Sequence, residues 1–257
     1  MTTERLYLEN INAAYNTKFS ANVISIDGNK IGLDRTLFYP MGGGQNWDTG
    51  RILTSSQELN VTEVRGRDII EHHVNENHGL SVGDEIIGEI DWERRYSHMR
   101  MHTAQHLMSG LAYELFNGVR TVGNQIKAEH SRIDFNPISF NEDMLDELSE
   151  SANKYVRESI QIFDSIMTRE EINSIMPADR TNMNLLPKSV KNLRVVKIGD
   201  NIDLCPCAGT HISNLSEMGE VTIISKKSKG KGTQRIKYEL TNNCLLYTSD
   251  AADDCRC

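Results

Sequence analysis

The chain has 257 residues, 38% of them hydrophobic and 25% charged, and a formal net charge of −8. This is room for one large or two modest domains of an ordinary soluble globular protein. No run of 18 apolar residues occurs, which excludes a transmembrane helix. The acidic balance excludes attraction of nucleic acid to the protein as a whole, so any RNA contact has to come from a local basic patch.

The N-terminal stretch "MTTERLYLENINAAYN" has no basic-then-apolar signal pattern, and a cytoplasmic location is expected. Residues 1 to about 90 read as short strands and turns. "NVISIDGNKIGLDRTLFY" is two apolar-rich runs around Asp27-Gly28-Asn29, a hairpin signal. "RILTSSQELNVTEVRG", "DIIEHHVN" and "GDEIIGEIDW" continue the pattern, and strands at such close spacing predict a small antiparallel barrel. Between them, "PMGGGQNWDTG" (40–50) lacks the Gly-Lys-Ser/Thr ending of a phosphate loop and the G-x-G-x-x-G spacing. Its three glycines allow close backbone approach to another surface, or serve as a flexible strand connection.

Near Tyr96 the period changes. Ala104, Leu107, Met108, Leu111 and Leu115 recur at three and four, and Asn117-Gly118 stops the helix they predict. "VGNQIKAEHSRIDFN" reads as strands with a turn, and "NEDMLDELSESANKYVRESI" as an acidic amphipathic helix. Asn141 is its N-cap, with Phe140 and Leu145 placed for a hydrophobic staple. Thr168 and Glu171 suit a capping box before a short helix ended by Pro177. "LRVVKIG", "EVTIISKKS" and "QRIKYEL" read as strands. The last fourteen residues, "CLLYTSDAADDCRC", show neither period and read as a foreign, disordered tail. Taking out their three aspartates and one arginine moves the net charge from −8 to −6, and leaves Cys205 and Cys207 as the only cysteines of the body. One C-x-C is no disulfide framework and fits a reducing compartment or a metal site.

On a helical wheel His102 and His106 share one face with Ser109 and Tyr113, opposite the main apolar stripe. One turn apart, two ring nitrogens reach one ion at about 2.0–2.1 Å; alone, the pair reads more readily as a solvated polar face. "LCPCAGTHIS" (204–213) repeats the spacing with Cys207 and His211. Taken singly, Cys207 is a small buried hydrophobe and His211 a cap or surface residue. Taken together, three histidines and one cysteine make a four-ligand zinc set. Cys205 is a rival ligand, with a longer spacing to His211 and a stiff Pro206 between. Thr103 follows the first histidine where a metalloprotease has its glutamate base. A basic run, Lys226, Lys227, Lys229, Lys231, Arg235 and Lys237, is either a solvated surface or a phosphate contact, which Arg94, Arg95 and Arg100 would extend.

"HTAQH", "CAGTH" and "FYPMGGGQNWDTG" together resemble the alanyl-tRNA editing proteins (the AlaX family) and the editing domain of alanyl-tRNA synthetase, over most of residues 5–241. His102, His106, Cys207 and His211 fall on the family's H-x-x-x-H and C-x-x-x-H, with Ala208 where the family usually has glycine. The resemblance implies an α+β chain: an N-terminal β-barrel domain with a glycine-rich loop over 1–90, then a zinc-containing editing domain over 91–243, with 244–257 the non-native tail. It implies hydrolysis of the ester joining a wrong amino acid, chiefly serine and also glycine, to tRNA(Ala), with one Zn2+ and the tRNA acceptor end as partners and neither DNA nor membrane. Thr121 and Gln125 line up with polar residues near the family's site and are the catalytic candidates the resemblance implies. Gly42, Gly43, Gly44 and Gln45 are expected to face it and to contact RNA, as are Lys226, Lys227, Lys229, Lys231 and Arg235. Two other readings stand beside this one. The first is a threonyl-type editing domain, which the G-G-G-Q loop disfavours. The second is a non-catalytic zinc-stabilised RNA-binding module.

Overall fold

Apolar residues at every second position make the first strands, and their partners decide how the sheet bends. The computed structural model describes residues 2–75, 77–177, 180, 190–200 and 202–241, so the tail expected at 244–257 lies outside the described residues. The first nine strands are β1 (Glu4–Arg5), β2 (Lys18–Asp27), β3 (Lys30–Leu33), β4 (Arg35–Thr36), β5 (Gly50–Leu53), β6 (Glu58–Val61), β7 (Glu63–Arg65), β8 (Glu71–His73) and β9 (Glu85–Ile90). β1 and β4 form a short parallel ladder. The other seven form one antiparallel sheet in the order 6-5-9-2-3-8-7. The expected hairpin at Asp27-Gly28-Asn29 is there, Asp27 opposing Lys30, with Gly28 at a φ of +58°.

β2 pairs with β9 through its first half and with β3 through its second, and its register slips between Val23 and Ser25. A slip of this kind bends a strand, and the sheet folds over a core of Phe19, Val23, Ile31, Leu33, Phe38 and Ile52. Among the described residues the expected barrel does not close. Its two edge strands, β6 and β7, are separated by Thr62 alone and run on from one another, so they cannot lie side by side to close the ladder.

The second half contains α1 (Trp92–Leu115), β10 (Arg120–Gln125), β11 (Ser131–Asn136), α2 (Glu142–Arg157), β12 (Ile162–Thr168), α3 (Arg169–Ile175), β13 (Asn192–Ile198), β14 (Asp203–Pro206), β15 (Val221–Gly230) and β16 (Thr233–Leu240). β10-β11-β16-β15 is one antiparallel sheet and β12-β13-β14 another. Asn141 caps α2 by accepting from the Met144 amide, and Thr168 and Glu171 form the expected capping box. α1 starts four residues before the change of period at Tyr96, because Asp91 accepts from the Arg94 amide as its N-cap. It is buried on both sides through most of its length, not on one stripe, and Leu115 of the predicted stripe is its exposed end. Met99, Leu107, Met108, Ile133, Phe135, Leu148, Ile236 and Tyr238 form the second core, which Ile11 and Ala14 join from the first half.

Two buried groups tie the halves. Arg95 of α1 is 0% exposed and donates from Nε to Asp48 Oδ2 at 3.0 Å, from Nη1 to the Ala14 carbonyl at 2.9 Å, and from Nη2 to the Leu37 carbonyl. Asp48 Oδ2 also accepts from the Tyr39 amide at 2.7 Å. Removing the carboxylate strands a guanidinium without water, so Asp48→Ala is expected to destabilise the fold by about 3–5 kcal/mol in a denaturant melt.

His72 is buried between Thr36 Oγ1, at 2.8 Å, and the Ile31 carbonyl, at 3.0 Å. His98 is buried on α1. Burial pushes both imidazoles down to about 4. Each folded value lies below the unfolded one near 6.5, so the unfolded chain takes up the proton first as the pH falls. Stability is therefore full above about pH 6.5 and falls towards pH 4, by up to about 1.4 kcal/mol per pH unit for each group. Melts of His72→Gln at pH 7 and pH 5 should show a smaller drop between the two than the parent chain does.

Candidate metal centre

The i, i+4 spacing in α1 puts His102 and His106 one above the other, and both are buried. β14 delivers Cys207 immediately after its last residue, and His211 follows in an irregular turn. That turn is held by Arg194 of β13. The Arg194 carbonyl accepts from the Cys207 amide at 3.0 Å, and its Nη1 donates to the Cys207 and Gly209 carbonyls at 3.0 and 3.1 Å. Its Nε donates to Asp164 Oδ2 at 2.8 Å. At Gly209 a Cβ would come within 2.2 Å of His102 Cε1, so no side chain fits there. Ala208 is exposed and is not among the non-glycine residues with positive φ, so alanine is accommodated where the family usually has glycine.

The four donors meet. His102, His106, Cys207 and His211 each offer one atom, and all lie within 4.8 Å of one another. Cys207 Sγ is 3.7 Å from His102 Nε2 and 3.4 Å from His211 Nε2. The far nitrogen of each ring is occupied. His102 Nδ1 donates to Gln45 Oε1 at 2.7 Å, His106 Nδ1 to Asp203 Oδ2 at 3.0 Å, and His211 Nδ1 to Thr103 Oγ1 at 3.1 Å. A proton fixed on Nδ1 leaves the Nε2 lone pair facing the centre, which is how ligating histidines are oriented.

Burial resists ionisation of Cys207, but the three surrounding imidazoles outweigh it and hold the thiol well below its usual range. Burial likewise opposes charge on His106, yet Cys207 and Asp203 raise it to about 10. Burial, with His102 beside it, holds His211 well below the ordinary imidazole value. Three neutral imidazoles and a thiolate are the donor set a transition-metal ion takes. Cys205, the rival, is not in this group and lies instead with His106 and Asp203.

The centre opens on a cleft of about 800 Å3 between the two halves, lined by His102, His106 and Cys207 together with Gly42, Gly43, Ser109, Thr121 and Asn124. Gly42, Gly43 and Thr121 thus line the cleft. Gly44 and Gln45 do not. Gly44, at a φ of +88°, packs so tightly on Asn124 that a Cβ would meet its side-chain oxygen at 1.6 Å. Gln45 is 0% exposed and corrects the expectation of an RNA contact: its Oε1 accepts from His102 and from the Thr210 amide, and its Nε2 donates to Thr210 Oγ1 at 2.9 Å.

Gln125 is turned away as well. The register of β10 against β11 slips at Val122, which places Thr121 opposite Phe135 and Asn124 opposite Ile133, on the buried face, while Gln125 opposes Arg132 and accepts from its Nε at 3.1 Å. Of the basic run, Lys226 donates to Glu142 at 2.6 Å and Arg235 forks onto Asp134 at 2.6 and 2.8 Å, so neither is a free phosphate contact. Lys227, Lys229 and Lys231 are exposed on the β15–β16 hairpin, outside the cleft. Arg95 and Arg100 do not extend the run, being buried against Asp48 and the Met218 carbonyl. Residues that sequence reasoning left out include Asp203, Gln105, Ser109 as a cleft group, and Arg194. Only Ser109, on the face of His102 and His106, carried a local signal.

The alanyl-tRNA editing protein AlaX-M of Saccharolobus solfataricus is 38% identical over 239 residues, 92% of this chain and 98% of that protein. The chain belongs to this family. A second AlaX-M alanyl-tRNA editing protein, from Methanosarcina barkeri, is 34% identical over 93% of this chain and 100% of its own. The alanine–tRNA ligase of Methanothrix thermoacetophila is 33% identical over 92% of the chain, which spans only 25% of that longer protein. Residues 4–94 match the family of class II (A) tRNA synthetases. Residues 193–237 match the second additional domain of threonyl and alanyl tRNA synthetases.

In this chain the close approach at Gly209 and the Gln45 bond both aim His102. Gly209→Ala and Gln45→Ala are each expected to lower metal affinity about 10–100-fold. Metal content after dialysis against a graded chelator checks this; full retention in both variants would contradict the role given to the two residues.

Proposed function

We propose that this chain is a trans-editing hydrolase that deacylates mischarged tRNA(Ala), chiefly seryl-tRNA(Ala) and also glycyl-tRNA(Ala), at one zinc ion held by His102, His106, Cys207 and His211. The observation that carries the reading is a four-donor cluster with three of its members facing an open cleft. A purely structural zinc site is closed, whereas a catalytic one keeps access for water or substrate. Family membership supports the substrate, since an alanyl-tRNA editing protein is an aminoacyl-tRNA deacylase. Three imidazoles and a thiolate favour zinc over harder cations. When bound, zinc would polarise the ester carbonyl or lower the pKa of a water towards ~7.

The rest of the work falls to the chain. Asn124 Nδ2 donates to Gln105 Oε1 at 3.3 Å, and Gln105 Nε2 to Ser109 Oγ at 2.8 Å. Ser109 Oγ lies 2.6 Å from Thr121 Oγ1. One hydroxyl of that pair donates to the other, which leaves a single O–H free to donate into the cleft. A serine side chain accepts it. Alanine has nothing to offer and leaves this polar wall unpaired, which is the costly mismatch on which hydroxyl-reading sites rely. Residues 91–243 then form the deacylating portion, and the glycine loop of 1–90 supports it from across the cleft. The exposed lysines 227, 229 and 231 are left as contacts for the RNA duplex.

The test is hydrolysis of seryl-tRNA(Ala) by purified protein, with alanyl-tRNA(Ala) as the paired control. Serine should be released and alanine spared. His106→Ala should abolish release, and Thr121→Ala should lower seryl kcat/KM about five- to tenfold, the worth of one hydrogen bond. A folded, metal-loaded protein that releases neither amino acid would put the non-catalytic zinc-held RNA-binding module in its place.

A further inference from the structure

A chain of net charge −8 repels RNA as a whole, so a cleft that admits an RNA end needs cations of its own. Four arginines line it: Arg5, Arg67, Arg120 and Arg180. Arg180 is already engaged by the Ile202 carbonyl, Asp203 and Glu114. Arg5, Arg67 and Arg120 make no ion pair among the described residues. They also stand on both walls. Arg5 belongs to β1, Arg67 to the loop that follows β7, and Arg120 opens β10 in the other half. Arg5 Nη2 donates to the Arg67 carbonyl at 2.5 Å, which holds the two guanidinium-bearing segments together on one wall. The single acid beside them that lines the cleft, Asp68, makes no ion pair among the described residues either. One uncompensated carboxylate against three guanidinium groups leaves the mouth cationic.

We propose that Arg5 and Arg67 from the N-terminal half, facing Arg120 across the cleft, form a clamp for the phosphodiesters of a single-stranded RNA 3′ end. The inference deepens the proposed function and rests on it for the identity of the strand. An ester on the last ribose must reach the metal centre, and the phosphates behind that ribose must then run out along the cleft walls. A guanidinium fork suits a phosphate there because it pairs with two oxygens at once and never loses its charge. On this view the N-terminal half takes part in binding substrate, in addition to supporting the site through Gln45. The lysine hairpin lies outside the cleft and cannot make this contact.

The experiment is fluorescence anisotropy of a labelled single-stranded RNA ending in CCA, and of uncharged tRNA(Ala), over a series of salt concentrations. The parent chain is compared with Arg5→Gln/Arg67→Gln and with Arg120→Gln. Each variant is first checked for unchanged melting temperature and metal content. The double variant should bind at least tenfold more weakly at low salt, and its log–log salt slope should be shallower by about 1.4, the loss of two single-strand phosphate contacts. Arg120→Gln should cut the slope by about half that. In hydrolysis, KM should rise while kcat holds. If a glutamine variant does not fold, Arg5→Lys/Arg67→Lys takes its place; keeping the charge and losing the fork, it should retain the slope and bind more weakly. Unchanged affinity and slope in both wall variants would overturn the clamp. Failure of the parent chain to hydrolyse seryl-tRNA(Ala), with the slope change intact, would overturn the proposed function and leave the clamp standing.

Discussion

One buried amide holds the candidate centre together. Gln45 reaches from the glycine loop to His102 on α1 and to Thr210 in the turn that carries Cys207 and His211. These three segments are 57 and 108 residues apart in sequence. Nothing local brings them into register, so the amide needs all three in place before its own oxygen and nitrogen are satisfied. An amide buried without partners costs on the order of 1–3 kcal/mol or more. The same penalty that makes Gln45 expensive to misplace makes the metal donors converge in a single arrangement.

The charge pattern follows the same logic. Burying three imidazoles and a thiol is unfavourable unless each polar atom has a use. The Nδ1 atoms find it in Gln45, Asp203 and Thr103, which leaves Nε2 and Sγ to face one another. Asp203 is in turn steadied by Arg180, and the Cys207 turn by Arg194. Arg194 is tied to Asp164, whose other oxygen accepts from the Ile11 amide in the first half at 3.0 Å. A second line of hydrogen bonds thus runs from the centre back to the N-terminal half, parallel to the one through Gln45.

What could be read from the sequence was what depends on near neighbours. His102 with His106, and Cys207 with His211, are pairs four apart, and their convergence needs only a helix and a turn. The Asn141 cap, the Thr168–Glu171 box and the Gly28 hairpin are equally local. What escaped depends on partners far along the chain. The side of β10 that faces the cleft is set by a slip at Val122, and one residue of slip exchanges Gln125 for Asn124. Lys226 and Arg235 looked unpaired because Glu142 and Asp134 lie some 84 and 101 residues away. The barrel failed to close because β6 and β7 are consecutive, a matter of path that no alternation pattern records.

The glycine loop was the most misleading stretch, and its true constraint is steric. Three glycines in a row suggest a backbone that approaches a ligand. Gly42 and Gly43 do border the cleft, but Gly44 has its space filled by Asn124, a residue of the same molecule. The loop is thin where Gln45 bridges, in parallel register, to Ile126 just beyond β10. Gly209 answers it from the other side, having no room for a Cβ against His102. Gly44 therefore sets how closely the first half approaches the second at Asn124, while Gly209 sets how closely the Cys207 turn packs on α1. A loop selected for ligand approach alone would be free to vary in the residue that follows it. Here the residue that follows is the buried amide on which His102 depends, so loop and metal centre are constrained as one unit.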